Sequence, residues 1–523
     1  MRVYAAFGEI ALGWGMSRLR RRTLLGASAL AAFPPKLFAQ TAAASRPRLL
    51  QGVQAGDVGA DGATIWSRAD RPARMIVDYA TTESFTDARR LEGPSALEAT
   101  DFTSRIRLGG LPPGQAIFYR VAYLDLGDLK SLSEPVVGRF RTPPASNADV
   151  SFVWSADTVG QGWGINPEVG GMTIYESMRR LAPDFFVHCG DTIYADNPLA
   201  PEKKLPDGRV WKNTVTEAKS KVAESLPEFR GNHLYNLLDD NLRRFNAEVP
   251  MVALWDDHEV VDNWTWEKRL DADPRYKVKD ARTLATASER AFREYMPLAD
   301  GLDGPMRLYR RFSFGPHLDL FRLDMRSFRG PNTVSASNTA YLGDEQLAWL
   351  KQALKSSKAT WKVVAADMPL GLVVYDDWRT KTGADALANA DDGPPLGREL
   401  EIAGLLAFIK RENIRNVHWI TADVHYPATH RYDPAQAAFS DFTPFYEFVS
   451  GPLCAGGFGP NALDRTFGPQ IVFQKAPSRI DLSPLEGSCH FGHVKIDGRT
   501  GLMTVTHRDA AGGILHTLEL APT

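Results

Sequence analysis

The residues most able to do chemistry stand where apolar runs stop. Pro250-Met251-Val252-Ala253-Leu254-Trp255 has the composition of a buried strand, and it ends in Asp256-Asp257-His258-Glu259. Carboxylates and an imidazole at a buried strand end are costly unless something occupies them. A salt-bridged strand end would do so, and so would a hydrolytic metal site. The second reading gains weight because the pattern recurs. Asp157 follows Val150–Ser155, Asp191 follows Asp184–Cys189, Asp324 and Arg326 follow Leu318–Leu323, Asp367 follows Trp361–Ala366, and Asp423 and His425 follow Asn416–Thr421.

Carboxylate oxygens suit hard cations, and imidazole adds affinity for transition metals. Asp157, Asp191, Asp257, Asp423 and His425 form such a mixed set. Tyr194, three residues after Asp191, offers either a phenolate ligand for ferric iron or an aromatic cover. His258 is better placed as a general acid, or as a hydrogen-bond donor to a phosphoryl oxygen, than as a ligand of the metal that Asp257 holds. Arg326 reads equally as a phosphate clamp or a structural salt bridge, and Asp367 as a ligand or a substrate contact. No Gly-rich phosphate loop, Gly-x-Ser-x-Gly nucleophile elbow or zincin helix motif is present. Without an obvious serine or cysteine nucleophile, a metal-activated water is the natural attacker.

These residues need strands ending side by side, and the chain supplies strands alternating with helical segments from residue 148 onward. That pattern predicts an α/β fold with its site beyond the carboxyl ends of the strands. Many acids on one rim would repel each other, and a multivalent cation removes that penalty. Two long segments interrupt the alternation. Asn197 to Glu248 is expected to hold an amphipathic helix with Leu234, Leu237, Leu238, Leu242 and Phe245 on one stripe, and Asp280 to Tyr295 a second helix; both could wall the pocket. Before the linker Thr142–Asn147, residues 46–142 read as a small all-β sandwich. Its strands include Ala63–Ser67, Arg74–Tyr79, Phe102–Leu108 and Ala116–Val121, and Leu111–Gln115 with Tyr119-Arg120-Val121 resembles a fibronectin-type turn and strand.

The chain has 523 residues, 44% apolar and 24% charged, which fits two globular domains. A net charge of -2 argues against a nucleic-acid-binding surface, and no internal run reads as a transmembrane segment. Arg20-Arg21-Arg22-Thr23-Leu24-Leu25 before a moderately apolar, alanine-rich stretch reads as an export signal over residues 1–44, with Met16 as a second candidate start. The Arg21-Arg22 pattern resembles a twin-arginine signal, which implies the twin-arginine export machinery as a partner and a periplasmic or secreted location. The three cysteines, Cys189, Cys454 and Cys489, are too few for a disulfide framework. Cys189 reads as core; Cys454 and Cys489 could pair after export.

Taken together, Gly190-Asp191-Thr192-Ile193-Tyr194, Trp255-Asp256-Asp257-His258-Glu259 and Ala422-Asp423-Val424-His425 resemble the alkaline phosphatase D family of metallophosphatases. Glu447–Pro452, the strands from Phe491 onward, the β-sandwich and the signal fit the same family. The resemblance implies a metallophosphoesterase-like two-sheet sandwich flanked by helices over residues 148–523. It implies an enzyme hydrolysing small phosphate monoesters and often diesters, with iron and calcium or a related set. Asp191, Tyr194, Asp257 and His425 would be metal ligands and His258 catalytic, while Asp423 stands where the broader pattern has a metal-site histidine. Many members place a cysteine ligand where this chain has Asp157; a carboxylate is harder than a thiolate, which bears on the metal's identity. Gly231-Asn232-His233 imitates a metallophosphatase motif, but Leu226–Arg230 before it breaks the strand pattern, so it is set aside. The competing readings are a metal-retaining cell-envelope binding protein without turnover and a dedicated phosphodiesterase or phospholipase D-like enzyme.

Overall fold

The computed structural model describes residues 45–60, 62–299, 306–332 and 340–523; the expected export signal lies outside them. The N-terminal strands are β1 (Val53–Gly59), β2 (Gly62–Arg68), β3 (Ala73–Ala80), β4 (Arg89–Ala96), β5 (Thr103–Gly109), β6 (Ala116–Asp125) and β7 (Val136–Arg141). One sheet runs β4-β3-β6-β7 and the other contains β1-β2-β5. Ile65, Val77, Tyr119 and Val121 are among the buried side chains of their shared core. The second sheet does not stop there. Next in the chain come β8 (Val150–Ser155), α1 (Thr173–Arg179), β9 (Phe185–Cys189), a small hairpin of β10 (Glu202–Lys204) and β11 (Val210–Lys212), α2 (Leu226–Asn236), α3 (Asp240–Glu248), β12 (Met251–Leu254) and α4 (Ala281–Tyr295). β1 lies parallel to β12 with Gly56 opposite Met251, so the N-terminal segment extends the same sheet that carries the acid-tipped strands. A buried ion pair pins the junction: Arg322 Nη1 donates to Asp57 Oδ1 at 2.8 Å.

The remainder is β13 (Arg310–Phe314), β14 (Leu318–Arg322), α5 (Asp344–Ser356), β15 (Trp361–Ala365), α6 (Glu399–Arg411), β16 (Val417–Thr421), β17 (Ala428–Tyr432), β18 (Phe445–Val449), β19 (Pro469–Gln474), β20 (His490–Ile496), β21 (Met503–Asp509) and β22 (Ile514–Leu520). The nine-stranded sheet runs β22-β21-β20-β8-β9-β12-β1-β2-β5, and a seven-stranded sheet runs β13-β14-β15-β16-β18-β17-β19. Phe152, Val187, Leu254, Leu320, Val363 and Ile420 help fill the space between them. The outer face of the first sheet packs on α1 to α4, that of the second on α5 and α6.

Within this frame β8, β9 and β12 are parallel neighbours, and so are β14, β15 and β16. Six apolar strands in two sheets thus end on one side of the sandwich, as ligand sites in open α/β sheets require. The expected single amphipathic helix is two helices. Asp239 caps α3 by accepting from the N–H groups of Asn241 and Leu242, and the turn this creates leaves Leu238 exposed rather than on the apolar stripe. The proline that looked like a breaker opens α2: Pro227 sits in its first turn, behind a capping box of Ser225 and Glu228. The helix expected over Asp280 to Tyr295 is α4, with Asp280 as its N-cap. All three cysteines are free and buried, so Cys454 and Cys489 do not pair here.

Candidate metal centre

The loops that leave β8, β9 and β16 turn with unusual backbone. Asp157, Asp191, Asp423 and His425 have φ of 65°, 52°, 65° and 60°. Non-glycine residues in the left-handed region are uncommon and collect at functional sites. The surrounding structure holds them there. Glu259, fully buried, accepts from the N–H groups of Asp191 (3.1 Å), Thr192 (2.5 Å) and Asp256 (2.7 Å) and from the Thr192 hydroxyl (2.6 Å). One carboxylate therefore stitches the end of β9 to the end of β12. Gly190 makes that approach possible. Its φ is 107°, and a Cβ there would sit 2.5 Å from Asp256 Cβ.

The side chains converge. Asp157, Asp191 and His425 place one ligand atom each within 4.8 Å of one another, as do Asp191, Asp257 and His258, and as do Asp256, Asp257 and Asp423. Asp191 and Asp257 are shared, which makes the three groups a continuous chain of donors across both sheets. Asp157 has no exposed surface, and neither carboxylate oxygen has a hydrogen-bond partner. Burial, opposed by the charge of His258 and reinforced by Asp257 and Glu259, holds its carboxyl well above the usual range. An orphaned, buried acid among other acids is the environment a multivalent cation relieves.

The tautomer of His425 suits that reading. Its Nδ1 lies 2.6 Å from the Gly456 carbonyl, which can only accept, so Nδ1 carries the proton. Nε2 is therefore an acceptor: it takes the Tyr194 hydroxyl at 2.9 Å and lies 3.6 Å from Asp157. A carbonyl behind the ring is how ligating histidines are commonly oriented, and burial lowers the pKa of His425 to about 4, keeping it neutral. Tyr194 is buried beside it, stacked on the His258 ring at 4.2 Å. Burial, then Asp191 and Asp157, push its phenol pKa far up.

His258 meets the cluster twice: a ring nitrogen lies within 4.8 Å of carboxylate oxygens of Asp191 and Asp257, and its backbone N–H donates to Asp191 Oδ1 at 3.1 Å. Its Nδ1 lies 2.8 Å from Asp196 Oδ1. Against burial, the charges of Asp196, Asp257 and Asp191 raise its pKa well above the ordinary imidazole value. Asp196 had no part in the sequence reading; an acid two residues beyond Tyr194 carries no signal of its own. Glu259 did carry one. An acid three residues after Asp256 has capping-box spacing, and it accepts from the Asp256 N–H in that way.

Other candidates back the cluster rather than face it; Arg326 Nη2 lies 3.9 Å from Asp257 Oδ1. Arg326 has no exposed side-chain surface. Its Nη1 and Nη2 fork onto Asp385, each at 2.8 Å, and its Nε donates to Asp256 at 2.7 Å. Of the two sequence readings, its surroundings fit the structural ion pair rather than the phosphate clamp, because no edge of the guanidinium remains for a substrate. Asp367 leans on the same guanidinium at 3.6 Å. Asp324 accepts from Trp255 Nε1 and Ser327 and faces no ligand position. His233 of the set-aside triplet is buried in α2, stacked on Tyr295.

Two packed sheets with acids and a neutral histidine on a shared rim describe a hydrolytic centre, and the comparisons give its kind. The family model for PhoD-like phosphatases matches residues 152–507, and the model for the N-terminal domain of PhoD-like phosphatases matches residues 35–144. The chain belongs to the PhoD-like phosphatase family. It is 28% identical over 438 residues to alkaline phosphatase D of Bacillus subtilis (strain 168), covering 78% of this chain and 70% of that protein. A solved structure of PhoD superposes with a TM-score of 0.66 at 21% identity, covering 91% of this chain and 90% of the other. A purple acid phosphatase from yellow lupin (Lupinus luteus) seeds superposes with a TM-score of 0.58 at 12% identity, covering 91% and 74%. The chain is a phosphoric ester hydrolase.

Proposed function

We propose that the protein is an exported, metal-dependent hydrolase of phosphate monoesters and of phosphate diesters. The observation that carries metal dependence is Asp157, whose two unpartnered, buried oxygens face Asp191 and His425. Asp157, Asp191, Tyr194 and His425 would hold one cation, and Asp257, Asp423 and the shared Asp191 a second. When bound, such ions neutralise phosphoryl oxygens and activate water. The donor set fits hard ions, iron with calcium or a related pair, since Asp157 offers oxygen where a thiolate would favour softer metals.

The chain's own residues supply the rest. Asp196 fixes the His258 ring through Nδ1 and leaves Nε2 to present a proton or hydrogen bond to the departing oxygen. Asp257, its neighbour in sequence, serves assembly of the site, so adjacent residues divide ligation from proton transfer. Glu259 and Gly190 keep the β9 and β12 loops in register for both tasks.

The test is hydrolysis of 4-nitrophenyl phosphate by purified protein, with metal analysis before and after a chelator. Activity should vanish with the metal and return when iron and calcium are restored. Turnover by fully stripped protein would sink metal dependence, and bound metal without turnover on any ester would favour the binding-protein reading. Export rests on Arg21 and Arg22. Replacing both by Lys should leave precursor in the cytoplasm; normal export of that variant would refute the twin-arginine route.

A further inference from the structure

A cavity of about 180 Å³ is lined by His425, Gly457, Lys475, Ser478, Glu486 and His490 among others. It is smaller than the roughly 300 Å³ at which pockets for drug-sized ligands begin, and it suits a single compact polar group. His490, at the start of β20, is only 3% exposed, yet neither ring nitrogen has a hydrogen-bond partner. The carbonyls of Ser488 and Gly451 lie near the ring without reaching bonding geometry. Burial, and then the charge of Lys475, lower its pKa to about 4, so the ring is neutral and carries one N–H. A buried donor left unpaired costs stability unless something else accepts from it.

The charges around the cavity indicate what that is. Glu486 is the only carboxylate among the six residues named, and it is taken by Arg479 and by the Ser483 N–H. Lys475, just beyond β19, has no carboxylate partner among the described residues, so its charge is the uncompensated one at the cavity mouth. A lysine ammonium and an idle imidazole N–H facing one polar space form a receptor for an oxoanion. His425 lines this space and also belongs to the donor chain of the metal centre, so the two sites share one side chain.

We propose that this cavity is an anion subsite for a second phosphate of the substrate, so that the favoured esters are small bis-phosphorylated molecules. The proposal rests on the ester-hydrolase reading and adds a specificity to it.

A matched pair of substrates reads it directly: propyl phosphate and propane-1,3-diol bisphosphate, with the ethanediol and butanediol homologues to vary the linker. Charge-assisted hydrogen bonds of this kind are worth about tenfold or more. The wild-type holoenzyme should therefore hydrolyse the best bisphosphate with a kcat/KM about tenfold above that of its alkyl monophosphate, with the difference in KM. Lys475→Met should erase that preference and leave the monophosphate unchanged, and His490→Leu should do the same where it folds. Equal kcat/KM for every pair, or a preference that survives Lys475→Met, would overturn the subsite. Should no ester be turned over, the hydrolase reading fails separately, and calorimetric titration of the same pairs with wild type and Lys475→Met decides the subsite by the same contrast.

Discussion

Arg326 offers the sharpest test of how the rim is built. Replacing it by Met keeps most of its volume and deletes the guanidinium from between Asp256, Asp385 and Asp367, all at most 1% exposed. Arg329 still reaches Asp385 at 2.8 Å, so the uncompensated charge falls mainly on Asp256 and Asp367. Removing one partner of a buried pair costs about 3–5 kcal/mol. Unfolding entropy of about 2.1 cal/mol/K per residue amounts to roughly 1 kcal/mol/K for a chain of this length, so Tm should fall by about 3–5 °C if it unfolds as one unit. The assay is scanning calorimetry of the metal-loaded variant beside steady-state kinetics on 4-nitrophenyl phosphate. KM should stay within about threefold of wild type, and residual activity should follow metal content. An unchanged Tm with KM raised tenfold or more would refute this account, because the guanidinium would then be contacting substrate.

Asp157→Asn should lower metal content and cut activity by at least about 10²-fold, yet metal-free protein should melt at the same temperature or higher, since burial no longer has to hold a carboxyl well above its ordinary titration range; a lower metal-free Tm would argue that Asp157 is structural. His258→Ala should keep most of the metal and lose turnover of alkyl phosphates by roughly 10²–10⁴-fold, with a smaller loss on nitrophenyl phosphate, whose leaving group needs little protonation. Full activity on alkyl esters would remove His258 from proton transfer, and loss of metal would make it a ligand. Acid stability should follow the buried imidazoles His188, His233, His418 and His507, whose pKa values burial lowers to about 3. The unfolded chain takes up these protons below about pH 6.5 and the folded chain does not until about 3, so each contributes about 1.4 kcal/mol of lost stability per pH unit across that window. Buried acids raised into the same window, Glu259 and Glu399 to about 7, act in the opposite sense, so the check is the difference between wild type and His418→Gln: a Tm difference that does not change between pH 7.5 and 5 would contradict this.

The strands and their acid tips were legible in the chain itself, because burial on both faces demands continuous apolar runs and because a polar cluster at the end of such a run is conspicuous. That is why Asp157, Asp191, Asp257, Asp423 and His425 could be picked out before any fold was known. The α4 helix was legible too, with Asp280 as a cap and a 3.6-residue apolar stripe. Other features depended on partners distant in sequence. Arg326 could be clamp or ion pair until Asp385, fifty-nine residues away, was seen on its fork. Asp196 gained a role only when His258 met it, and Pro227 became a helix start only with Ser225 and Glu228 bonding across it. The parallel pairing of β1 with β12 joined two segments that composition separates. Local pattern reports how each residue prefers to be buried and turned. Which carboxylate neutralises which guanidinium, and which oxygens are left bare for a ligand, is set by long-range packing, and only the tertiary structure decides it.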